Sequence, residues 1–284
     1  MKIYDRQTES YEEIEQFGAG KLNFLYSNPF GRLFLGIAVS SFVSDIYAKK
    51  KSKKSSCKDI PEFIRNHNID MGDYEDKEYE SFTDFFTRKI KPGKRPVDMD
   101  PKAFISPCDS KLLVYKIDSN TGMNIKGREY TVDEILGGTG DAQEFKDGIA
   151  MVFRLTVDDY HRYCFPDSGS VICRKSIKGK LHTVSPVSKD HKIYHENTRD
   201  VSILKTDNFG TMAYIEVGAM LVGRIVDEGI GFFAKGQEKG HFEPGGSTVI
   251  ILANNIKIDE DIIGQSVSGI ETKVRYGERI GTAL

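Results

Sequence analysis

Residues 201–217 read V-S-I-L-K-T-D-N-F-G-T-M-A-Y-I-E-V, two runs rich in β-branched, aromatic and other apolar residues with Asp, Asn and Gly between them. Such runs between turn-forming residues are typical of β-strands. The pattern recurs from about residue 103 onward, at Lys111–Ile117, Ile149–Leu155, Met220–Val226 and Thr248–Leu252. One helix interrupts it, because Thr131 and Glu134 form a capping box ahead of Ile135 and Leu136. The body of the protein is therefore predicted to be mainly β-sheet.

Helices are expected before residue 103. Between Phe30 and Ile46, apolar residues recur at helical spacing around a narrow polar row, which predicts a helix with a wide apolar arc. This stretch is shorter than the roughly 20 apolar residues needed to cross a bilayer. Aromatic residues in 59–90 also repeat at helical spacing until Pro92 and Gly93, which favours packing helices. The fold class is therefore α+β, with N-terminal helices in front of a β-rich body.

A lysine-rich segment, K-K-K-S-K-K-S-S-C-K, follows the first apolar helix at residues 49–58. An apolar helix beside a cationic run can enter a membrane interface, where each basic residue contributes about 1 kcal/mol toward anionic lipids. A core helix followed by a solvated linker is the alternative. We expect residues 1–58 to hold membrane-association helices and a basic linker, and residues 59–284 to form the catalytic domain.

The overall composition excludes several classes of protein. The chain has 284 residues and a formal net charge of −2, so no global field attracts nucleic acid. Its four cysteines are scattered and form no C-x-x-C pair, which argues against a disulfide scaffold or a structural zinc site. The N-terminus lacks the basic start and apolar centre of a secretory signal, so we expect the protein on the cytoplasmic side.

A candidate for the chemistry lies at residues 235–250, K-G-Q-E-K-G-H-F-E-P-G-G-S-T-V-I. Gly245 and Gly246 allow a sharp turn immediately before Ser247, and a strand is predicted to begin there. Taken alone, G-G-S-T before a strand is an ordinary turn. The rest of the chain changes that interpretation.

Several separated stretches, in order, resemble the pyruvoyl-dependent phosphatidylserine decarboxylases. They are T-D-F-F-T-R-K-I-K-P-G-K-R-P at 83–96, S-P-C-D-S at 106–110, D-Y-H-R at 159–162, N-T-R at 197–199, V-G-A-M-L-V-G-R-I at 217–225 and the segment that ends in G-G-S-T. The resemblance covers most of the chain. It implies a proenzyme that cuts itself between Gly246 and Ser247 into a β chain, residues 1–246, and an α chain, residues 247–284.

The resemblance also implies the site. Asp109, His161 and Ser247 match the family's relay, in which a base activates the serine hydroxyl and a carboxylate orients the base. Ser247 then becomes a pyruvoyl group, a covalent cofactor that forms a Schiff base with the amine of phosphatidylserine and accepts the electrons left by CO2. No metal or other cofactor is expected. The product is phosphatidylethanolamine.

The remaining expectations follow from the same resemblance and the front helix. Partners are the phosphatidylserine substrate, an anionic membrane surface and the complementary processed chain, with a homodimer as a family-based possibility and no nucleic acid. We expect peripheral attachment to the cytoplasmic side of the cell membrane. Arg199 and Lys235 lie in matched segments and are candidates for the lipid phosphate.

One position departs from the family pattern. Many members have Y-H-R-x-H, but the second histidine is Cys164 here, and a thiol is a poor base at neutral pH. Three alternatives remain: His161 serves both steps, His182 supplies the base, or the relay is assembled differently. We favour His161. His241, just before the cleavage segment, is a weaker candidate for assisting it.

Two other functions are considered. Ser247, His161 and Asp109 are compatible with a serine hydrolase acting in an uncut chain, although G-x-S-x-G is absent. A noncatalytic lipid-binding module with glycine turns is the second. Both alternatives predict an intact polypeptide, whereas the decarboxylase hypothesis predicts two chains.

Overall fold

The structure, a computed structural model, describes residues 1–13, 19–184, 191–220, 224–245 and 247–284. The predicted cleavage residue Gly246 lies outside the described residues, whereas Ser247 lies within them. The described helices and strands confirm the α+β class.

The strands are β1 Lys2–Asp5, β2 Ser10–Glu13, β3 Ala103–Ile105, β4 Ser110–Lys116, β5 Gly122–Ile125, β6 Arg128–Thr131, β7 Ile149–Leu155, β8 Arg162–Cys164, β9 Gly169–Ile177, β10 Arg199–Thr206, β11 Gly210–Gly218, β12 Ile225–Asp227, β13 Phe232–Phe233, β14 Glu238–Phe242, β15 Ser247–Ala253, β16 Ile256–Ile258, β17 Glu271–Val274 and β18 Arg279–Ala283. The helices are α1 Ala19–Ser27, α2 Pro29–Ala38, α3 Ser41–Lys51, α4 Ile60–Asn66, α5 Phe82–Phe86, α6 Val132–Leu136, α7 Ile193–Glu196 and α8 Glu260–Val267.

A large sheet organises the body. Its order is β13-β9-β10-β11-β15-β7-β4-β17-β1-β2 in the described part of the chain, and its neighbours are antiparallel except β1 and β17, which are parallel. Strand β15 lies near the middle between β11 and β7, and all of its residues are buried. An apolar run such as V-I-I-L-A suits this place because both faces of the strand leave water. The core therefore lies around β15.

Several elements predicted from the sequence are present in the structure. Thr131 caps α6 through the predicted capping box with Glu134, and Gly137 ends the helix in the left-handed conformation (φ 58°). Within the predicted helical region 59–90, the structure has the short helices α4 and α5, and α5 buries three phenylalanines as packing residues. Of the predicted run Met220–Val226, residues 221–223 lie outside the described residues, and β12 begins at Ile225.

The predicted helix over Phe30–Ile46 is wrong in one respect, because it is two helices. Ser40 caps α3 by accepting a hydrogen bond from Val43 N, and its hydroxyl donates to Ile37 O at 2.6 Å, so the chain turns between α2 and α3. Leu35 and Val39 are consequently buried, whereas the later apolar residues Phe42 and Ile46 are exposed. Among the described residues, no helix has the length and apolar character required to cross a bilayer.

Candidate active site

One edge of the large sheet collects the residues predicted to form the relay. Strand β15 starts there at Ser247, which pairs with Leu155 at the end of β7 and with Gly218 at the end of β11. Strand β4 is antiparallel to β7, so it starts at the same edge, directly after Asp109. His161 lies between the end of β7 and the start of β8. Antiparallel pairing therefore brings three distant parts of the sequence to one edge.

Ser247 is completely buried, and its hydroxyl has no hydrogen-bond partner among the described atoms. The preceding Gly245 has a φ of 143°, a conformation that glycine adopts without steric cost. This bend agrees with the first residue of the predicted turn, whose second glycine, Gly246, lies outside the described residues. A buried hydroxyl without a partner is unusual, because its desolvation costs about 1–3 kcal/mol. Such a group is free to act as a nucleophile once a base removes its proton.

His161 is held as a neutral base. Its Nδ1 lies 3.0 Å from the carbonyl oxygen of Asp159, which can only accept, so Nδ1 carries the proton and the buried Nε2 presents a lone pair. The Asp159 carboxylate accepts from Lys111 Nζ at 2.7 Å and Thr156 N at 2.6 Å, which fixes this loop. Phe86 packs against the imidazole at 4.3 Å between ring centroids. Burial lowers the pKa of His161 to about 3.

The Asp109 carboxylate is hydrogen-bonded to Arg95 and to the backbone of Tyr276, and not to His161. Arg95 Nη2 lies 2.8 Å from Oδ2, and Arg95 Nε lies 3.1 Å from each carboxylate oxygen. Tyr276 N donates to Oδ1 at 2.8 Å. Among the hydrogen bonds of the described residues, none joins any two of Asp109, His161 and Ser247. The relay thus stays a prediction: the fold brings its members to one edge, without the direct contacts.

Cys164 is buried beside Asp109. Its backbone N donates to Pro107 O at 2.9 Å. Its thiol interacts with the Tyr276 hydroxyl, which itself donates to Gly236 O at 2.9 Å. Burial raises the pKa of the Cys164 thiol to about 12, so it is protonated at neutral pH. Tyr276 therefore touches both Asp109 and Cys164.

Arg95 and Tyr276 are site residues that the sequence analysis missed. Arg95 does lie within the first of the matched stretches, 83–96, which was a usable signal. Tyr276 has no comparable signal, because only the return of β17 to this edge places it beside Asp109.

Neither His182 nor His241 is hydrogen-bonded to the Ser247 hydroxyl among the described residues. His182 Nδ1 lies 3.1 Å from the Tyr26 hydroxyl, and burial with the neighbouring His191 lowers the pKa of His182 to about 4. Its backbone is linked to the site through Asn197, whose Nδ2 donates to both His182 O and Gly218 O at 2.8 Å. His241 lies on β14, where burial and Arg162 lower its pKa to about 4. Within the described residues, neither histidine therefore has a hydrogen bond through which it could act directly as the base for Ser247.

Neither phosphate candidate is free in this structure. The buried Arg199 guanidinium donates to four backbone carbonyls, including Ile135 O at 2.8 Å and His195 O at 2.6 Å. Lys235 Nζ donates to Asp100 O at 2.5 Å and Ala103 O at 2.6 Å. These cations cross-link the backbone, so the suggestion that they bind a lipid phosphate is not supported.

Comparisons with known proteins place this geometry in context. The sequence model of a family described as phosphatidylserine decarboxylase matches residues 82–282, which include Asp109, His161 and Ser247. Phosphatidylserine decarboxylase proenzyme 2 of Clostridium acetobutylicum is 50% identical over 285 residues, covering 99% of this chain and 98% of that protein. The phosphatidylserine decarboxylase proenzymes of Clostridium botulinum and Fusobacterium nucleatum are 39% and 38% identical, with at least 97% of each chain covered.

Proposed function

This chain belongs to the phosphatidylserine decarboxylase family, and from that premise we propose that it cuts its own backbone at Gly246-Ser247 and then decarboxylates phosphatidylserine to phosphatidylethanolamine. The match confirms the resemblance drawn from the separated motifs, and with it the expectation of a decarboxylase. It supports neither the uncut serine hydrolase nor the noncatalytic lipid-binding module.

The proposed cleavage begins at the buried Ser247 hydroxyl, which has no hydrogen-bond partner among the described atoms. Its Oγ attacks the carbonyl carbon of Gly246, the Oγ–C bond forms, the peptide C–N bond breaks, and the hydroxyl proton ends on the freed nitrogen. Loss of the Ser247 α-proton then expels the Gly246 carboxylate and leaves dehydroalanine, which hydrolyses with release of ammonia to a pyruvoyl group. His161 is the proposed base, because its Nε2 carries an uncommitted lone pair at the same sheet edge.

The fold explains why the two products stay together. Strand β15 of the α chain pairs with β7 and β11 of the β chain, and β17 pairs with β4 and β1. Lys273 of β17 also contacts Asp5 of β1 at 2.7 Å. Because these ladders and the buried face of β15 survive the cut, we expect the processed chains to remain one folded body.

The pyruvoyl carbonyl, when present at position 247, supplies an electron sink for the pair left by departing CO2. The surrounding residues fit such a small group, since the Ser247 side chain is sealed from solvent and uses no hydrogen bond that the conversion would break. His161, neutral at rest, is also the group proposed to accept and return a proton in this step.

Membrane attachment is proposed through an apolar surface on the first three helices. We define the apolar ridge as the exposed residues Phe24, Phe30, Leu33, Phe34, Ile37, Phe42 and Ile46. Its α2 members follow one helix face, and Leu33 and Phe30 are 76% and 75% exposed. Exposed Lys49, Lys50, Lys53 and Lys54 follow immediately. Exposed apolar residues on successive helices beside a cationic segment suit an anionic bilayer, so we propose peripheral attachment on the cytoplasmic side of the cell membrane.

The observation that carries the proposal is the buried, unpartnered Ser247 hydroxyl at the start of β15. Intact-mass analysis of the purified protein tests it. We expect two chains, residues 1–246 and 247–284, the second with a pyruvoyl group at its first position. Reduction with cyanoborohydride in the presence of phosphatidylserine should add the lipid to this smaller chain.

Thr248 provides a matched control, because its hydroxyl is also buried and without a partner among the described atoms. Ser247→Ala should leave one uncut, inactive chain, whereas Thr248→Ala should still yield two. Fully active protein consisting of one uncut chain with an ordinary serine at 247 would overturn the proposal.

A further inference from the structure

A second group of ligating side chains lies where helix α1 meets the body. Glu196 Oε2 is 3.5 Å from His182 Nε2 and 3.8 Å from His191 Nδ1. One ligand atom from each of the three residues lies within 4.8 Å of the other two. We propose that His182, His191 and Glu196 bind a single Zn²⁺ ion.

His182 supplies the strongest argument. The residue is 2% exposed, and its Nε2 has no hydrogen-bond partner among the described atoms. Its other ring nitrogen, Nδ1, lies 3.1 Å from the Tyr26 hydroxyl, which also accepts from Thr183 N at 3.0 Å. A metal-binding histidine usually makes such a contact through the nitrogen that does not bind the ion, because this fixes the tautomer and the ring. The ion would satisfy the remaining nitrogen.

Glu196 is oriented in the same way. Its Oε1 accepts from Lys192 N at 3.0 Å, which leaves Oε2 turned toward the histidines. Lys180 Nζ lies 3.6 Å from Oε2, but its side chain is 60% exposed and holds the carboxylate loosely. A divalent ion would displace this lysine into solvent.

The distances and donor types favour zinc. Zn–N and Zn–O bonds of about 2.0–2.1 Å in a tetrahedron put neighbouring ligand atoms about 3.3 Å apart. The two His–Glu196 separations of 3.5 and 3.8 Å approach this value. The imidazoles of His182 and His191 are stacked, with ring centroids 4.1 Å apart, and their lone pairs lie in the ring planes, so binding requires the partly exposed His191 ring to rotate out of the stack toward the ion. Two imidazoles and one carboxylate leave a fourth position. A cavity of about 380 Å³, lined by His182, His191 and residues of α2, provides room there for a water or another oxygen ligand.

The site would connect the helices to the catalytic edge. Tyr26 belongs to α1, and Val39 O at the end of α2 accepts from Leu181 N at 2.9 Å. On the other side, Asn197 joins His182 to Gly218, the strand partner of Ser247. The ion would therefore fix His182, which is hydrogen-bonded to Tyr26 of α1 and, through Asn197, is linked to strand β11. This proposal revises the expectation of a chain without metal, and it assigns the ion no part in the decarboxylation.

Zinc titration of tag-free, chelator-treated protein tests the proposal, with calorimetry for affinity and elemental analysis after gel filtration for stoichiometry. We expect one Zn²⁺ per polypeptide. Since loss of an outer partner alone weakens metal sites about 10–100-fold, His191→Ala and Glu196→Gln should each weaken binding at least that much, and Tyr26→Phe by about tenfold. His191 is partly exposed, so its alanine variant should fold. Its thermal midpoint without zinc should match that of the parent.

A matched control comes from another cluster, Glu228, Glu238 and His241, whose ligand atoms are similarly close. Glu238 already pairs with Arg162, so we expect His241→Ala to retain the zinc stoichiometry and affinity. Co²⁺ bound to the parent protein should show the intense visible absorption of a tetrahedral site, and His191→Ala should lack it. Zinc that is absent from the parent, that survives His191→Ala unchanged, or that disappears in His241→Ala would overturn the proposal.

Discussion

The Arg95 guanidinium donates hydrogen bonds to both oxygens of the Asp109 carboxylate, with Nη2 2.8 Å from Oδ2 and Nε 3.1 Å from each oxygen. Arg95 Nη1 also reaches Asp73 Oδ2 at 3.0 Å, and these two carboxylates raise the pKa of Arg95 despite its burial. The carboxylate expected to orient the catalytic base is therefore itself positioned by an arginine. Cys164, at the position where the family pattern predicts a second histidine, is not hydrogen-bonded to the Asp109 carboxylate in the described residues, and Arg95 is the charged partner of that carboxylate.

Replacing Arg95 should destabilise the protein strongly. Arg95→Met leaves the Asp109 carboxylate nearly buried without its cation, which should cost roughly 3 kcal/mol of unfolding free energy. Urea unfolding in the uncut Ser247→Ala background measures this on a single chain. The neighbouring Lys94 also pairs with Asp73, at 3.2 Å, but is half exposed, so Lys94→Met should cost less than about 1 kcal/mol. Equal effects of the two replacements would contradict the assigned role of Arg95.

Self-cleavage should depend on His161 without the usual histidine pH profile. Burial lowers the pKa of His161 to about 3, so the imidazole remains a neutral base across pH 5–8. We expect the cleavage rate of freshly translated chain, followed by gel electrophoresis, to lack an inflection near pH 6.5. His161→Ala should stop cleavage, whereas the exposed His195→Ala should not. A rate that falls tenfold per pH unit below 6.5, or unaltered cleavage by His161→Ala, would exclude His161 in this form.

Cys164 should be replaceable by serine. Its raised pKa of about 12 leaves almost no thiolate at neutral pH, and serine retains a hydroxyl for the contact with Tyr276. Cys164→Ser should therefore cleave at close to the parental rate, and folded parent protein should resist iodoacetamide at this residue. Cys164→His should instead cost about 1–3 kcal/mol, because an imidazole overfills a completely buried site. A serine variant that fails to cleave but folds normally would assign chemistry to the thiol.

Charges placed on the apolar ridge should weaken membrane binding. The double replacement Leu33→Glu and Phe34→Glu removes two exposed apolar contacts and adds repulsion, so partitioning onto phosphatidylglycerol vesicles should fall by about tenfold or more. Co-sedimentation measures this, and added salt should weaken the lysine contribution in the parent. Val267→Glu, at an 85% exposed apolar residue of α8, is the control and should bind normally. Equal loss in both variants would argue against a specific membrane surface.

A buried ion cluster should make stability depend on pH. Glu216 pairs with Lys239 in the interior, and Lys239 Nζ also contacts Asp227 at 2.6 Å. Burial raises the pKa of Glu216 to about 7, because the shared lysine only partly offsets it. The folded state then keeps a proton that the unfolded chain releases above pH 4.5. The resulting stabilisation is complete below that pH and is lost as the pH rises to 7.

The test is urea unfolding of the uncut Ser247→Ala chain at pH 5 and pH 8. From this group alone, the unfolding free energy should drop by on the order of 2–3 kcal/mol between the two. Glu216→Gln cannot titrate, so it should lose that part of the pH dependence. An unchanged slope in the glutamine variant would mean that Glu216 is not the responsible group.

Local sequence patterns were enough to predict the fold class and the family, and they single out Ser247 as the expected reacting residue. Short apolar runs predicted the strands, Thr131 and Glu134 predicted the helix cap, and the separated motifs identified the family, because each of these signals is local and survives without knowledge of the fold. The break between α2 and α3 was missed, since the apolar period continues across Ser40 while its side chain ends one helix and begins the next.

Which residues contact one another became clear from the three-dimensional fold. Strand pairing places Ser247 beside Gly218 and brings Tyr276 against Asp109, although these residues are far apart in the chain. It also commits Arg199 and Lys235 to backbone carbonyls, and it collects His182, His191 and Glu196 beside Tyr26. Burial, hydrogen-bond partners and pKa depend on neighbours supplied by other strands and helices, and no local pattern encodes those neighbours.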